Sequence, residues 1–302
     1  MNMDLLQLRY FRTVARTEHL GRAAEQLRVA QPSLSRTIAR LEADLGVPLF
    51  DRQGRGIRLN RFGAAFLARV DRALGELDDA RTELADLAGS GCGSVVVAAE
   101  NLAVLRTVLG SYLTAYPGVA VRLSQCSPEE TATRLQAGTV DLAVLSQHLD
   151  RPGVAGRDLI TEEVLLAVPP GHRLARRRRV PVSELISEPF VTTGPDYWPR
   201  ALLDRLFAPT GHRPVIACEG DDPASLRGLV ALGLGVGLLP AMARPSLGPR
   251  VVWLHVDAPD CSRTLSLYWR EGAYLPLSAQ RFRDLATERF AAIEDGRAAA
   301  GL

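Results

Sequence analysis

The residue types best suited to chemistry in this chain lie together at positions 31–40, Gln-Pro-Ser-Leu-Ser-Arg-Thr-Ile-Ala-Arg, and that chemistry is recognition, not bond breaking. Gln31 carries a planar amide and Arg36 a rigid fork of donors, groups that match the edges of adenine and guanine in the major groove of DNA. Ser33 and Ser35 are short hydroxyl side chains that reach phosphate or base. Leu34, Ile38, Leu41 and Leu45 recur at i, i+4, i+7 and i+11. They predict the inner face of a helix over residues 31–45, with Pro32, Ser33, Ser35, Arg36 and Arg40 facing outward. Arg22 upstream joins this DNA-contacting set. Arg52, Arg55 and Arg58 downstream would neutralise backbone phosphates and add salt-dependent, sequence-independent affinity. No catalytic residue is expected, because there is no nucleophile elbow, no His-Glu-x-x-His and no phosphate loop of the required spacing. His19, His148, His172, His212 and His255 are too scattered to predict a metal site.

A helix that reads DNA needs neighbours that hold it at the surface. Leu5, Leu8, Phe11 and Val14 are spaced three apart and predict a helix over residues 4–17, with Arg9, Arg12 and Arg16 on its other face. A short helix at 21–27 contains Ala23 and Ala24, small enough to let another helix cross closely. Residues 28–30 form a short connector. Pro32 then fits a first helical turn, where its missing N–H costs nothing, and Gly46 is a C-terminal stop. Residues 49–59 read as a hairpin around a Gly-containing turn, from which three arginines project. Helix, helix, short turn, helix and basic hairpin is the layout of a winged helix-turn-helix, predicted over residues 1–61. Eleven arginines against six acidic residues in that segment contrast with a net charge of only +2 for all 302 residues. All 36 basic residues are arginine, which fits a GC-rich bacterial genome.

From residue 62 to 88 there is no proline, and Phe66, Val70, Ala73, Leu77, Ala80, Leu84 and Leu87 alternate in steps of four and three, a heptad seam. Three heptads are marginal alone, so a linker and dimerisation helix over 62–91 is expected to pair with its copy; packing on the chain's own body is the alternative. Strand-like and helical runs then alternate over 92–302, predicting an α/β domain with a mostly parallel sheet. The expected strands fall at 95–99, 119–124, 141–145, 164–168, 190–192, 215–218, 236–239, 251–256 and 264–269. Helices are expected at 102–115, after Ser127 with Glu130 closing a capping box, and at 197–207 and 279–293. The longest apolar stretch, 229–243, holds three glycines and Pro240 and falls short of the ~20 residues a membrane span requires. The four arginines at 176–179 read as a solvated loop in preference to a second nucleic-acid site. Cys92, Cys126, Cys218 and Cys261 have no metal-ligand spacing and suit a reducing compartment; with no signal peptide, a cytoplasmic location without membrane partners is expected.

Ala23-Ala24-Glu25-Gln26-Leu27, Gln31-Pro32-Ser33-Leu34-Ser35-Arg36, Ile38, Leu41-Glu42, Leu45-Gly46 and Pro48-Leu49-Phe50-Asp51-Arg52 together resemble the LysR-type transcriptional regulators. The match is dense over residues 5–60, and Gly233-Leu234-Gly235-Val236-Gly237-Leu238-Leu239-Pro240 continues it downstream. The resemblance implies a winged helix-turn-helix, a long dimerisation helix, and a two-lobed α/β effector domain like a type 2 periplasmic binding protein. Lobe I would cover about 92–161 and 267–302, and lobe II about 162–266. It implies a homotetramer on double-stranded promoter DNA, no resident cofactor, and a small-molecule effector whose binding alters lobe closure, DNA bending and contacts with RNA polymerase. Two departures stand out. Ala30 replaces a capping serine or threonine, which costs about 1 kcal/mol of capping. Asn60-Arg61-Phe62-Gly63 replaces threonine-x-alanine-glycine and leaves amide and guanidinium donors for phosphate.

Between such lobes a ligand lies at the C-terminal ends of strands, where helix N-termini present free N–H groups. Glu100, Asn101, Ser127, Ser146, Thr192 and Thr193 occupy such positions and are the candidate effector contacts, with a helix-cap or turn role competing at each. A carboxylate-bearing metabolite is the first expectation, although Glu100 disfavours an anion placed beside it. The lobes are expected to meet near residues 160–163 and 266–269. The rival readings are a solute-binding transport protein, opposed by the basic N-terminal segment, and a thiol redox sensor using Cys126 and Cys218.

Overall fold

The computed structural model describes residues 3–53, 56–88, 93–244 and 248–299, and their side chains except those of 52, 53 and 295–299. Arg55, Cys92 and the side chain of Arg52 therefore lie outside what is described. The chain forms two compact units, residues 1–90 and 91–302.

The first unit contains α1 (Leu5–Thr17), α2 (Leu20–Leu27), α3 (Gln31–Leu45), the hairpin strands β1 (Phe50–Gln53) and β2 (Gly56–Leu59), and the long α4 (Arg61–Leu87). Asp4 starts α1 with a capping box that the sequence reading did not identify: its carboxylate accepts from the Gln7 amide at 2.7 Å, and the Gln7 side chain accepts from the Asp4 amide at 3.0 Å. Phe11, Val14, Ala23, Leu34 and Leu41 have no exposed surface, and Val70 and Leu74 of α4 close the same core. Glu42 reaches from α3 to accept from the amides of Leu49 and Phe50 at 2.7 and 3.2 Å, and Glu18 accepts from the Leu59 amide at 2.9 Å. Both ends of the hairpin are thus tied to the helices by carboxylates, through charge-assisted bonds.

The turn into α4 corrects the sequence reading. Asn60 is the N-cap: its side-chain oxygen accepts from the amides of Phe62 and Gly63, each at 2.9 Å, and its side-chain amide donates to the Pro48 carbonyl at 2.9 Å. The residue expected to reach phosphate is engaged in structure, while the Arg61 guanidinium lies over the Phe62 ring at 4.6 Å. The heptad seam also divides. Val70 is buried in its own unit, as is its neighbour Leu74, whereas Leu77, Leu84 and Leu87 are 43%, 66% and 77% exposed. Arg9 and Arg16 face α4 and pair with Asp78 and Asp71.

The second unit has two cores joined by one continuous sheet. In the first lobe β3 (Ser94–Ala99), β4 (Ala120–Gln125) and β5 (Leu142–Leu145) pair in parallel, covered by α5 (Arg106–Ala115), α6 (Pro128–Gln136) and α9 (Leu277–Ala299). The Tyr112 hydroxyl donates to the Ser278 carbonyl at 2.7 Å inside this core. The second lobe packs β7 (Arg179–Pro181), β8 (Pro189–Thr193), α7 (Trp198–Phe207), β9 (Val215–Gly220), α8 (Leu226–Ala231), β10 (Gly237–Pro240) and β11 (Val252–Asp257) around Phe190, Phe207 and Leu254. Gly235 belongs to the stretch that resembles the family, and a Cβ there would lie 2.3 Å from the Pro189 carbonyl oxygen; this close approach lets Val236 exchange backbone bonds with Pro189 and Val191.

The sheet is mixed, not mostly parallel. β6 (Val154–Val168) runs antiparallel to β10, β11 and β12 (Ser262–Arg270), and β12 is antiparallel to β5. β6 begins ten residues before the expected start at 164, because Arg157, Asp158, Thr161, Glu162 and Glu163 interrupt the apolar pattern while the backbone continues to pair with β12. The lobes meet where residues 161–163 face 262–264. Residues 266–268 already pair with β5 of the first lobe, so the return crossing lies earlier than the expected 266–269. The register shifts between Leu265 and Ser266, a bulge that bends the pair beside the crossing. Among the described residues no helix is long and apolar enough to cross a membrane.

Gly63 tests the α4 geometry. A Cβ there would stand 2.2 Å from the Leu49 carbonyl oxygen. Alanine favours a helix by about 1 kcal/mol over glycine, but overpacking against backbone costs roughly 1–3 kcal/mol. Gly63→Ala is expected to lower the denaturation midpoint of residues 1–90; a raised midpoint would show that α4 does not cross the chain so closely.

Candidate functional site

In the first unit the aliphatic face of α3 fixes what its other face presents. With Leu34, Ile38 and Leu41 buried, Gln31, Pro32, Ser33, Arg36 and Arg40 are exposed, Ser35 is half-buried, and Arg22 is exposed on α2. Ala30 caps α3 without a side-chain hydrogen bond. Arg36 makes only a long bond back to the Pro32 carbonyl, 3.4 Å. Among the described residues Arg22, Arg36, Arg40 and Arg58 have no acidic partner within ion-pair distance, in contrast to Arg9 and Arg16. Arginines without an ion pair thus include those of α2, α3 and the wing. On the wing Arg58 stands opposite Asp51 in register, and it is exposed while Ile57 and Leu59 on either side pack inward. The structure thus gathers Arg22, Gln31, Pro32, Ser33, Ser35, Arg36, Arg40 and Arg58 in one unit with their side chains largely free.

In the second unit the C-terminal ends of β3, β4 and β5 face those of β8 and β9 across an interlobe cleft. Glu100 follows β3 and is 1% exposed; its Oε1 accepts from the Ser146 amide at 2.9 Å and its Oε2 has no partner among the described residues. Burial raises its pKa above the ordinary 4.5, while hydrogen bonds from Ser146 and the charge of Arg263 act in the opposite sense. Thr192 and Thr193 end β8, and their buried hydroxyl oxygens are also without partners. Asn101 and Ser127 take the competing role: Asn101 caps the 3₁₀ turn Leu102–Leu105 through the Ala103 amide, and Ser127 caps α6 through the Glu130 amide at 3.2 Å. The capping box expected at Ser127 is half formed, with the Glu130 side chain 3.9 Å from Arg134.

The sequence reading did not nominate the pair at the crossing. Arg263 of β12 donates from Nε and Nη2 to the Glu162 carboxylate at 3.0 and 2.8 Å, and from Nη1 to the Ser146 hydroxyl at 3.1 Å; its guanidinium lies 4.9 Å from the Trp198 ring centre. Both side chains are nearly fully buried. Glu162, just before the apolar run 164–168, was the available signal, since a charge buried there needs a partner. Two further bonds join the lobes: Gln147 Nε2 to the Asp196 carbonyl at 2.8 Å and Gln125 Nε2 to Asp222 Oδ1 at 3.3 Å. Beside the crossing a pocket of about 490 Å³ is lined by Ser146, Gln147, His148, Trp198, Arg205 and Arg263, among others.

The rival readings find less support. Burial pushes the Cys126 thiol up, with Arg134 opposing, which is the reverse of an activated thiolate. In the arginine run, Arg177 and Arg179 pair with Glu184 and Asp257. Among the described residues no group of three His, Cys, Asp or Glu side chains is placed to hold a metal ion.

Comparison with known proteins places this geometry. Residues 5–64 match the family described as "bacterial regulatory helix-turn-helix protein, lysR family", and residues 88–291 match "LysR substrate binding domain". The chain is 35% identical to the uncharacterized HTH-type transcriptional regulator YybE of Bacillus subtilis (strain 168), over 95% of its own length and 99% of that protein. It is 32% identical to the transcriptional dual regulator GltC of the same organism, over 97% and 99%. The crystal structure of full-length CbnR complexed with its target DNA aligns with a TM-score of 0.66 at 25% identity, over 95% of this chain and 100% of that one.

Glu100 gives a pH test. Its carboxyl titrates higher in the folded state, so between 4.5 and that raised value the fold holds a proton the unfolded chain has lost, and stability falls as pH rises through the window. Glu100→Gln removes the cost of burying the charge. Its thermal midpoint is expected above wild type at pH 8, with the gap closing below pH 4.5; equal midpoints at pH 8 would mean that burial does not penalise the carboxylate.

Proposed function

Since this chain belongs to the LysR family of bacterial transcriptional regulators, we propose that it reads promoter DNA through the outer face of α3 and the wing, and that an effector in the interlobe cleft sets how it does so. The observation that carries this is the α3 face itself, where Gln31, Ser33, Arg36 and Arg40 are exposed while Leu34 and Leu41 behind them are fully buried. Gln31 and Arg36 contact bases, and Arg22, Arg40, Arg52, Arg55 and Arg58 contact phosphates. The exposed Leu77, Leu84 and Leu87 on α4 pair with the same residues of a second copy, and two such dimers form a tetramer. The effector is held between the lobes by Glu100, Ser146, Thr192 and Thr193, with Asn101 and Ser127 shaping the same strand ends. Its binding changes lobe closure about the β6–β12 crossing and hence DNA bending and the contact with RNA polymerase. The protein acts in the cytoplasm and needs no cofactor besides its effector.

Binding to the DNA upstream of its own gene across a salt series tests this. Wild type is expected to bind selectively and weaken steeply with salt. Arg36→Ala should lose about 1–3 kcal/mol and relax selectivity, whereas Arg58→Ala should weaken all sequences alike and reduce the salt slope by about one. Non-selective binding by wild type at every salt concentration would overturn the reading. For assembly, Leu84→Asp with Leu87→Asp is expected to give monomers by light scattering, and persistence of the dimer would remove α4 as the interface.

A further inference from the structure

Taking the cleft as the effector site, its chemistry narrows the effector. Glu100 is buried to 1% exposure, and its Oε2 has no hydrogen-bond partner. The nearby Arg263 fork is engaged by Glu162 and Ser146, with its face on Trp198. Across the cleft the Thr192 and Thr193 hydroxyl oxygens are buried and unpartnered as well. Next to them, a Cβ at Gly194 would lie 3.8 Å from Asp221 Oδ1 and 3.9 Å from Glu219 Oε1. Glu219 is paired with Arg200. Glu100, Asp196 and Asp221 form no ion pair among the described residues, and the charge of Arg263 that reaches Glu100 is shared with Glu162. Between the lobes stands Tyr197, 9% exposed, whose hydroxyl burial pushes up, helped by the charges of Asp221, Glu100 and Asp196.

The Thr192 and Thr193 hydroxyls can donate or accept, so the carboxylates decide: three without an ion-pair partner, one of them buried, beside an aromatic ring make a cation site. A carboxylate there would add like charge beside a buried Glu100 and leave its oxygen unpartnered. A quaternary ammonium would bring charge without the N–H groups these acceptors need.

We infer that the effector carries a protonated amine, seated between Glu100 and Asp221 with its N–H groups on Glu100 Oε2 and the Thr192–Thr193 hydroxyls. The inference concerns this end of the cleft and rests on the cleft being the effector site. Ser146, whose amide donates to Glu100, also lines the pocket that holds His148 and Arg205.

Calorimetric titration of the full-length protein with ethanolamine, putrescine, agmatine and lysine, beside the amine-free carboxylates succinate, benzoate and 2-oxoglutarate, tests this. At least one amine is expected to bind. Glu100→Gln should weaken it about tenfold or more by removing a charge-assisted bond, and Asp221→Asn, a change at an exposed side chain, should weaken it several-fold. Binding only by amine-free carboxylates, unchanged or tighter in Glu100→Gln, overturns the inference, and so does an absence of amine binding up to millimolar concentration. Promoter binding measured on the same preparations separates the two readings. Selective DNA binding without amine binding overturns the ligand class alone. Amine binding without selective DNA binding supports the ligand class and overturns the regulator reading.

Discussion

Two antiparallel strands carry the second unit. β6 leaves the first lobe and β12 returns to it, and each lobe builds its own core on either side of this pair. A crossing of this kind has to be continuous enough to hold two cores in register and irregular enough to bend. The register shift at Leu265/Ser266 supplies the irregularity. The Glu162–Arg263 pair supplies the continuity, since Arg263 also holds Ser146 of the first lobe and Trp198 of the second. A buried ion pair is a poor source of net stability, but separating its members is costly, so it specifies one arrangement of the lobes against others.

The first unit solves a different problem with similar means. Its core is made of aliphatic and aromatic side chains that any three-helix arrangement could use, and what makes the arrangement specific is polar. Glu42 and Glu18 tie the two ends of the hairpin to helices, and Asn60 satisfies two amides and a carbonyl at the turn into α4. These groups cannot also serve a ligand. Arg9 and Arg16 are matched by acids on α4, while Arg22, Arg36, Arg40 and Arg58 form no ion pair among the described residues.

Much of this was legible in the sequence, for identifiable reasons. Leu34, Ile38 and Leu41, at i, i+4 and i+7 of α3, fixed both its inner face and the exposure of Arg36, because a helix leaves no freedom between the two. The same argument failed in part on α4: the seam from Phe66 to Leu87 has one period but two environments, since Val70 is buried against α1 and Leu84 is exposed. Asn101 and Ser127 were ambiguous because a residue at a strand end before a helix serves as cap or ligand contact with identical sequence signals. The first ten residues of β6 and Arg263 were missed because polar residues in a strand, or one arginine among many, gain meaning only from a partner about a hundred residues away.

The close approach at Gly63 has a mechanical side. With α4 pressed against the Leu49 carbonyl and Asn60 bound to Pro48, the base of the hairpin and the start of the helix cannot move independently. A helix of 27 residues spans about 40 Å at 1.5 Å per residue. Over that length a tilt of one degree about its start corresponds to a displacement of about 0.7 Å at its far end. Repositioning at Leu87 would thus be geared down to a fine adjustment of the arginines at the other end.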